Sequence, residues 1–222
     1  MDIAILGGTG DIGAGLALRW AHDTGHGIRI GSRSEEKAAA AGDRYATTLA
    51  ERGVDASIVC GTNEDVAAGA DVIVLAVPPY HVRGLLEAVG PVLAPGTVVI
   101  SPAVGMQRTE AGFVYDPPST GSLTELLARN APAEVSVIGA FHSLPAARLA
   151  DLDDDLGMDT FIVGDDPEAH AVVFELANAI EGLRAVDAGG LACAAAVEAC
   201  TPLLITAARR ADAENDFGFR LV

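Results

Sequence analysis

Residues 1–13 read MDIAILGGTGDIG, and this stretch decides the fold of the chain. The apolar run Ile3–Leu6 predicts a buried strand, and Ile12–His22 carries apolar residues at the spacing of a helix. A strand, a glycine-rich turn and a helix in this order bind a pyrophosphate at the N–H groups of the helix N-terminus. The opening therefore predicts dinucleotide binding, and a glycine turn with a purely structural role is the alternative.

Three glycines in this turn, Gly8, Gly10 and Gly13, have the GxGxxG spacing. We expect Gly8 to permit the tight turn and Gly10 to let the backbone approach a phosphate. Gly13 should let the helix lie close to the strand.

The rest of the chain alternates between strand-like and helical patterns. Strands are predicted at Ile3–Leu6, Ile28–Ile30, Ala56–Cys60, Val72–Val77, Thr97–Ser101 and Val135–Gly139, and helices at Ile12–His22, Glu35–Arg52, Asn63–Ala68 and His81–Val92. Alternation of this kind predicts βαβ units. The fold class is therefore α/β, with a doubly wound, mostly parallel sheet (a Rossmann dinucleotide-binding fold) and a small C-terminal α/β lobe.

The C-terminal third has a looser pattern. Residues 105–118 predict a loop or short hairpin, 160–187 a strand, helix and strand, and Leu191–Arg210 an alanine-rich helix interrupted by Pro202. The acidic segment 151–159 is the best candidate boundary. We therefore expect a dinucleotide-binding Rossmann domain over residues 1–150 and a small C-terminal lobe over residues 151–222, which contributes to the cleft for a second substrate.

The end of the second strand indicates which dinucleotide binds. A fold that binds NAD usually has Asp or Glu here, which accepts a hydrogen bond from the ribose 2′-hydroxyl. This chain has Ser32, Arg33 and Lys37 instead. A guanidinium can bind a 2′-phosphate through two hydrogen bonds, and a lysine adds a point charge. NADP is therefore the predicted dinucleotide; an ordinary solvated helix start, capped by Ser34, is the alternative.

Charge and composition limit the partners and the compartment. The chain has 31 acidic and 14 basic residues, a net charge of −17, and Lys37 is its one lysine. Nucleic acid is excluded as a partner because phosphate contacts need basic patches. Such a surface suits concentrated salt, where self-repulsion is screened; an ordinary acidic protein from a GC-rich genome is the alternative. We find no secretion signal and no apolar run of membrane-spanning length, so we expect a cytoplasmic protein without a membrane partner.

The cysteines and two of the histidines are further candidates for metal binding or ligand contacts. The cysteines Cys60, Cys193 and Cys200 lack metal-ligand spacing, so we expect buried small side chains and no metal. His142 lies in a loop that follows an apolar strand, where ligand contacts are frequent. We expect it to contact a second substrate, although it could simply cap the loop. His81 is interpreted as a partly exposed residue at a helix start.

Several motifs together resemble one enzyme family. These are GGTGDIG, GSRSEEK, HSLPAARLADL, GDDPEA, DAGGL and EACTPL, in an order that covers essentially the whole chain. The chain resembles the NADPH-dependent reductases of the deazaflavin coenzyme F420, and its acidic surface leads us to expect an origin in a halophilic archaeon. The resemblance implies a soluble, usually dimeric oxidoreductase that exchanges a hydride between NADP(H) and coenzyme F420.

The resemblance also implies the site residues. The NADP contacts fall on Thr9, Gly10, Asp11, Ile12, Ser32, Arg33, Lys37 and Ala146, and the F420 contacts on His142, Ser143, Leu144 and Phe217. The chain departs from the family pattern at Gly190, Cys193 and Ala195, where proline, polar residues and an arginine are expected.

No catalytic side chain is expected, because the two cofactors carry the hydride chemistry and the protein supplies their positions. Two alternatives remain at this level. One is an NADPH-dependent reductase of another small substrate (an imine, a ketone or a flavin), and the other is a non-catalytic NADP-binding sensor.

Overall fold

A computed structural model of the protein describes residues 1–213 and 217–222. Its strands are β1 (Asp2–Leu6), β2 (Gly27–Ser32), β3 (Ile58–Thr62), β4 (Val72–Leu75), β5 (Val98–Ser101), β6 (Met106–Thr109), β7 (Gly112–Tyr115), β8 (Ser136–Gly139), β9 (Met158–Ile162) and β10 (Leu183–Asp187). Its helices are α1 (Asp11–Asp23), α2 (Glu35–Ala50), α3 (Asn63–Ala67), α4 (Val82–Val89), α5 (Leu123–Asn130), α6 (Ala146–Ala150), α7 (Pro167–Asn178) and α8 (Ala194–Arg210).

The main sheet is parallel throughout and has six strands in the order β3-β2-β1-β4-β5-β8. Strand order reverses between β1 and β4, which pair from Ile3 with Val72 to Leu6 with Leu75. Ligands of such sheets bind in the crevice at the carboxyl ends of the strands, at this reversal. The predicted doubly wound α/β fold is therefore confirmed.

Helices cover both faces of the sheet, which explains why its central strands are apolar on both sides. On one face the core combines strand residues such as Ile5 and Val74 with α1 and α2. On the other face, residues such as Leu6 and Val99 pack against α3, α4 and α5. All four residues of β4 are buried, as expected for a strand covered twice.

The C-terminal segment packs directly against the N-terminal one. The strands β9 and β10 form a parallel pair joined by α7, and an isolated bridge links Gly139 to Val163. The indole Nε1 of Trp20 donates to the carbonyl of Leu176 at 2.9 Å. One hydrophobic cluster contains residues from both sides of position 150. The division into domains at that position stays a prediction.

Residues 105–118 contain an antiparallel hairpin, β6–β7, which α8 packs against. The predicted interruption of α8 at Pro202 is wrong, since the helix continues through this buried proline. By length and composition alone, the stretch Leu191–Arg210 could cross a membrane, although 33% of its apolar window is buried in the protein. A core helix of a soluble protein passes the same test, so this finding is weak.

The cysteines differ from expectation in their exposure. Cys193 is exposed and the other two, Cys60 and Cys200, are only partly buried, so the prediction of three buried cysteines is wrong. Cys193 is the last residue of a short 3-10 helix, Leu191–Cys193, that precedes α8. Within residues 1–213 and 217–222, no group of three or more His, Cys, Asp or Glu residues could hold a metal ion.

Candidate functional site

The glycine turn after β1 is held in place by buried polar contacts. Gly7 has a φ of 75°, and its N–H donates to the carbonyl of Gly31 at 3.0 Å. Left-handed backbone of this kind favours glycine, so Gly7, rather than Gly8, permits the tight turn. A Cβ on Gly13 would lie 2.8 Å from the Cα of Gly8, which confirms the expected close approach of α1.

The N-terminus of α1 is open, in contrast to those of the next two helices, α2 and α3. Gly10 caps α1 without a side-chain hydrogen bond, whereas the side chain of Ser34 caps α2 and that of Thr62 caps α3. The first N–H groups of a helix lack partners within the helix and carry partial positive charge. The α1 end can therefore accept a phosphate in the place of a side chain.

Two cations lie at the end of β2. Arg33 and Lys37 are both exposed, and Ser32 beside them is buried at 8% exposure. Among the ion pairs found in the described part of the chain, none includes Arg33 or Lys37. The Ser34 hydroxyl accepts from the Lys37 N–H at 3.4 Å, so the helix cap is present together with the cations. The cap leaves both charged groups available to a ligand.

These features line one cleft of about 1050 Å³ at the carboxyl edge of the sheet. The predicted NADP residues in its wall are Thr9, Gly10, Ser32, Arg33 and Lys37. The opposite wall is formed by residues after β4, among them Pro78, Tyr80 and His81. Its size suits a dinucleotide, since ligand pockets commonly enclose several hundred Å³.

The other three predicted NADP residues are not among the residues that line this cleft. Asp11 and Ile12 form the first turn of α1, and Ala146 begins α6. Helices α1 and α6 pack closely, because a Cβ on Gly15 would lie 2.8 Å from the Leu149 side chain.

The loop that follows β8 is strained and buried. Phe141 has a φ of 65°, and its N–H donates to Thr160 Oγ1 at 3.1 Å. A non-glycine residue with left-handed backbone is costly and is frequent at functional sites. The adjacent residues His142, Ser143 and Leu144 are all buried.

His142 is a buried imidazole whose ring has no protein partner. Neither Nδ1 nor Nε2 has a hydrogen-bond partner among the described residues, and burial lowers the pKa of His142 from 6.5 to about 4. The ring is therefore neutral at physiological pH, with one N–H donor and one acceptor available. Orphaned polar atoms of this kind are rare in protein interiors and indicate a missing partner.

Phe217 lies apart from the cleft already described. It lines a second cavity of about 450 Å³ between α8, β9 and the C-terminal residues, together with Met158 and Leu204. The structure thus brings five predicted NADP residues together in one cleft, and it places the predicted F420 residues in two other locations.

Comparison with known proteins now gives the family. Residues 2–105 match the family model described as NADP oxidoreductase coenzyme F420-dependent. The F420-dependent NADP reductase of Methanocaldococcus jannaschii is 40% identical over 210 residues, which cover 92% of this chain and 91% of that protein. The chain belongs to the F420-dependent NADP reductase family. The reductase of the same name from Methanothermobacter thermautotrophicus is 37% identical over 92% of this chain and 88% of its own length.

A solved structure agrees with this membership of the F420-dependent NADP reductase family. A putative F420-dependent NADP reductase from Arthrobacter sp. FB24 has a TM-score of 0.82 and 26% identity, and the match covers 100% of this chain and 99% of that one. More distant matches, such as a reductive aminase from Aspergillus terreus at 16% identity and a TM-score of 0.60, show the fold alone.

Sequence reasoning missed two residues that support the dinucleotide cleft of this family member. The Tyr45 hydroxyl donates to the carbonyl of Gly8 at 2.8 Å, and Asn63 Oδ1 accepts from the N–H of Gly7 at 3.3 Å. Both hold the glycine turn from neighbouring elements. A polar residue directly after β3 and a lone tyrosine on an alanine-rich helix were the available signals, and neither is specific.

Proposed function

We propose that this protein transfers a hydride between NADP(H) and the deazaflavin coenzyme F420. The observation that carries the proposal is the cleft that an uncapped helix N-terminus shares with Arg33 and Lys37, which form no ion pair within the described residues, in a chain of this reductase family. When bound, NADP(H) and F420 supply the hydride donor and acceptor. The residues present fit a dinucleotide phosphate, because every anionic group of it has a complementary donor or cation.

The chain binds NADP by the following residues in this proposal: Thr9, Gly10, Asp11, Ile12, Ser32, Arg33, Lys37 and Ala146. The N–H groups at the start of α1 bind the pyrophosphate, and Arg33 and Lys37 bind the 2′-phosphate. The nicotinamide end extends toward the strand-order reversal between β1 and β4, where ligands of such sheets bind.

The deazaflavin is held near His142, Ser143 and Leu144, with Phe217 contributing from the C-terminal segment. The neutral His142 ring has a free donor and a free acceptor, which suit a polar edge of a planar ring. The protein accelerates transfer by holding the two reacting carbons in contact and excluding water, and no side chain exchanges a proton in the step.

The test is an absorbance assay with purified protein, NADPH and authentic F420, in high and in low salt. We expect NADPH to consume the absorbance of oxidised F420. No turnover in either salt contradicts the proposal, and turnover of an imine, ketone or flavin instead makes this chain another NADPH-dependent reductase. Binding of NADP with neither activity indicates a sensor.

The acidic surface is proposed to suit the cytoplasm of a cell with concentrated internal salt. With a net charge of −17, the acidic side chains repel one another in dilute buffer. At 1 M salt the Debye length falls to roughly 3 Å, so most of that repulsion is screened. We expect the free energy of unfolding to rise with salt. Unfolding measured from dilute buffer to molar salt checks this, and a flat response favours the ordinary acidic protein.

A homodimer is proposed through the apolar face of α8. Leu203 on this helix is 64% exposed, an unusual position for a large apolar side chain on a helix that packs against the fold. Sedimentation of the wild type and of Leu203→Glu tests this, with Arg83→Glu on α4 as control. We expect a dimer that only Leu203→Glu dissociates, and a monomeric wild type contradicts the proposal.

A further inference from the structure

A buried carboxylate on α8 has no cation beside it. Glu198 has 0% exposure, and the ion pairs found in residues 1–213 and 217–222 do not include it. Removing a carboxylate from water without a counter-charge costs several kcal/mol unless hydrogen bonds compensate. This cost in free energy suggests that Glu198 does more than fill space in the interior.

Four hydrogen bonds compensate Glu198. Its Oε2 accepts from the Leu123 N–H at 3.0 Å and from the Tyr115 hydroxyl at 3.0 Å. Its Oε1 accepts from the Thr124 N–H and from Thr124 Oγ1, both at 2.9 Å. The carboxylate thus fastens α8 to the N-terminus of α5 and to β7. Burial raises the pKa of Glu198, and these four bonds act against that rise.

The same face of α8 holds the His142 loop. Thr201, one turn after Glu198, donates from Oγ1 to the carbonyl of His142 at 3.0 Å. Pro202 has no N–H to donate to the carbonyl of Glu198 four residues before it, so the helix is weaker at this turn. The side-chain hydrogen bonds of Glu198 and Thr201 therefore contribute more to the stability of α8 at this turn than they would in a helix without a proline.

The carboxylate network also reaches the imidazole itself. A Cβ on Gly139 would lie 2.9 Å from Thr124 Oγ1 and 3.0 Å from His142 Cε1, so both atoms border the same small space. Thr124 is oriented by Glu198, and the ring of His142 packs into the space beside it. Movement of α5 away from α8 would open this space.

We infer that Glu198 is a positioning residue for the second substrate: it fixes α8 against α5 and β7, and so holds His142 in the buried position from which its ring meets that substrate. The inference rests on the proposed function for the identity of the substrate as F420. Its structural part, the control of His142 by Glu198, does not depend on activity.

The first test measures the accessibility of His142 without turnover. Diethyl pyrocarbonate acylates neutral imidazoles, and mass spectrometry reports the rate at each histidine of the chain. We expect His142 to react about fivefold faster in Glu198→Gln, since the amide offers one acceptor where the carboxylate offered two and α5 loosens. The other histidines are the internal reference.

A matched control separates this effect from helix capping. Glu125 lies on the same turn of α5, accepts from Ser122 Oγ at 3.3 Å and is partly exposed. In Glu125→Gln we expect the His142 rate to stay within about twofold of the wild type, because this pair caps α5 and, among the described residues, no hydrogen bond or ion pair joins it to α8. Equal rates in wild type and Glu198→Gln overturn the inference. If Glu198→Gln does not fold, Tyr115→Phe and Thr201→Val decide it by the same rate.

The second test uses kinetics with F420 and NADPH. We expect Glu198→Gln to raise the KM for F420 about tenfold and to leave the KM for NADPH within about twofold. In a His142→Asn background the same substitution should change the KM for F420 little, because the residue acts through His142. Equal effects in both backgrounds contradict this route. A wild type inactive with F420 contradicts the proposed function alone, since the acylation rates then still decide the role of Glu198.

Discussion

Two helix N-termini at the carboxyl edge of the sheet, those of α1 and α5, differ in what binds their first N–H groups. The end of α1 is open, because its N-cap residue Gly10 has no side chain that could bond to the first N–H groups, and Gly10 lines the large cleft. The end of α5 is closed twice, by the Ser122 hydroxyl and by the buried carboxylate of Glu198. A helix N-terminus attracts an anion. At α5 the protein supplies this anion itself, as the Glu198 carboxylate, so the helix end has a structural role. At α1 the protein supplies no anion, so the helix end is available to a ligand.

The largest expected effect concerns the buried region around Glu198 and α5, which includes His142. Because this histidine is neutral when buried, the free energy of unfolding should depend on pH. Its pKa is lowered to about 4 by burial, so the folded protein binds no proton there until the pH approaches that value. The unfolded chain binds one below pH 6.5, so stability is present at neutral pH and is lost as the pH falls from 6.5 to 4. The loss is about 3 kcal/mol.

Denaturant unfolding of wild type and His142→Asn between pH 7 and pH 4 measures this. The wild type should lose about 3 kcal/mol more than the variant over that range. The exposed His81→Asn is the control. A pH-independent difference between wild type and His142→Asn means that the imidazole is paired or hydrated in solution.

The second effect concerns Arg33, one of the two cations in the cleft at the open N-terminus of α1. Arg33→Ala should weaken NADPH binding about thirtyfold, because charge-assisted hydrogen bonds to a phosphate contribute about 2 kcal/mol. NADH lacks the 2′-phosphate, so its binding should change less than about twofold. Calorimetric titration with both cofactors checks the difference. Arg44→Ala, further along the chain in the third turn of α2, is the control. Equal losses for both cofactors refute the 2′-phosphate assignment.

The two halves also differ in how well a sequence predicts them. The glycine turn, β1 and α1 are local, so spacing and apolar periodicity gave the strand, the turn and the cleft. Glu198 could not be recognised in this way, because a glutamate on an alanine-rich helix is ordinarily exposed. Its partners Leu123 and Thr124 lie 75 and 74 residues away, and only the tertiary fold brings them together.

Local sequence patterns were also predicted imperfectly, in both regions. The left-handed glycine is Gly7, one residue before the GxGxxG pattern begins, because the pattern describes phosphate approach rather than backbone handedness. Pro202 was expected to interrupt α8, but flanking side-chain bonds from Glu198 and Thr201 stabilise the helix across it. Propensity rules do not include such bonds.

Exchanging the caps tests the comparison of the two helix ends directly. Ser122→Ala should lower the free energy of unfolding by about 1 kcal/mol and leave NADPH binding unchanged. Gly10→Ser should stabilise the free protein by a few tenths of a kcal/mol and weaken NADPH about tenfold, because the new hydroxyl occupies the donors that the pyrophosphate needs. Thermal unfolding and cofactor titration of both variants check this. Tight NADPH binding by Gly10→Ser means that α1 does not bind the phosphates.

The smallest effect belongs to Lys37, and the composition of the chain makes it measurable. Lys37→Ala should weaken NADPH about threefold, since an exposed lysine contributes about 0.6 kcal/mol at moderate salt. Because Lys37 is the one lysine, its ε-amine and the N-terminal amine are the two amines that an amine-selective acetylating reagent can label. NADPH should slow labelling of Lys37 while NADH slows it less, and the N-terminus is the internal control. Equal protection by both cofactors would place the lysine beside the ribose or the adenine, and the 2′-phosphate would then depend on Arg33 and Ser32 alone.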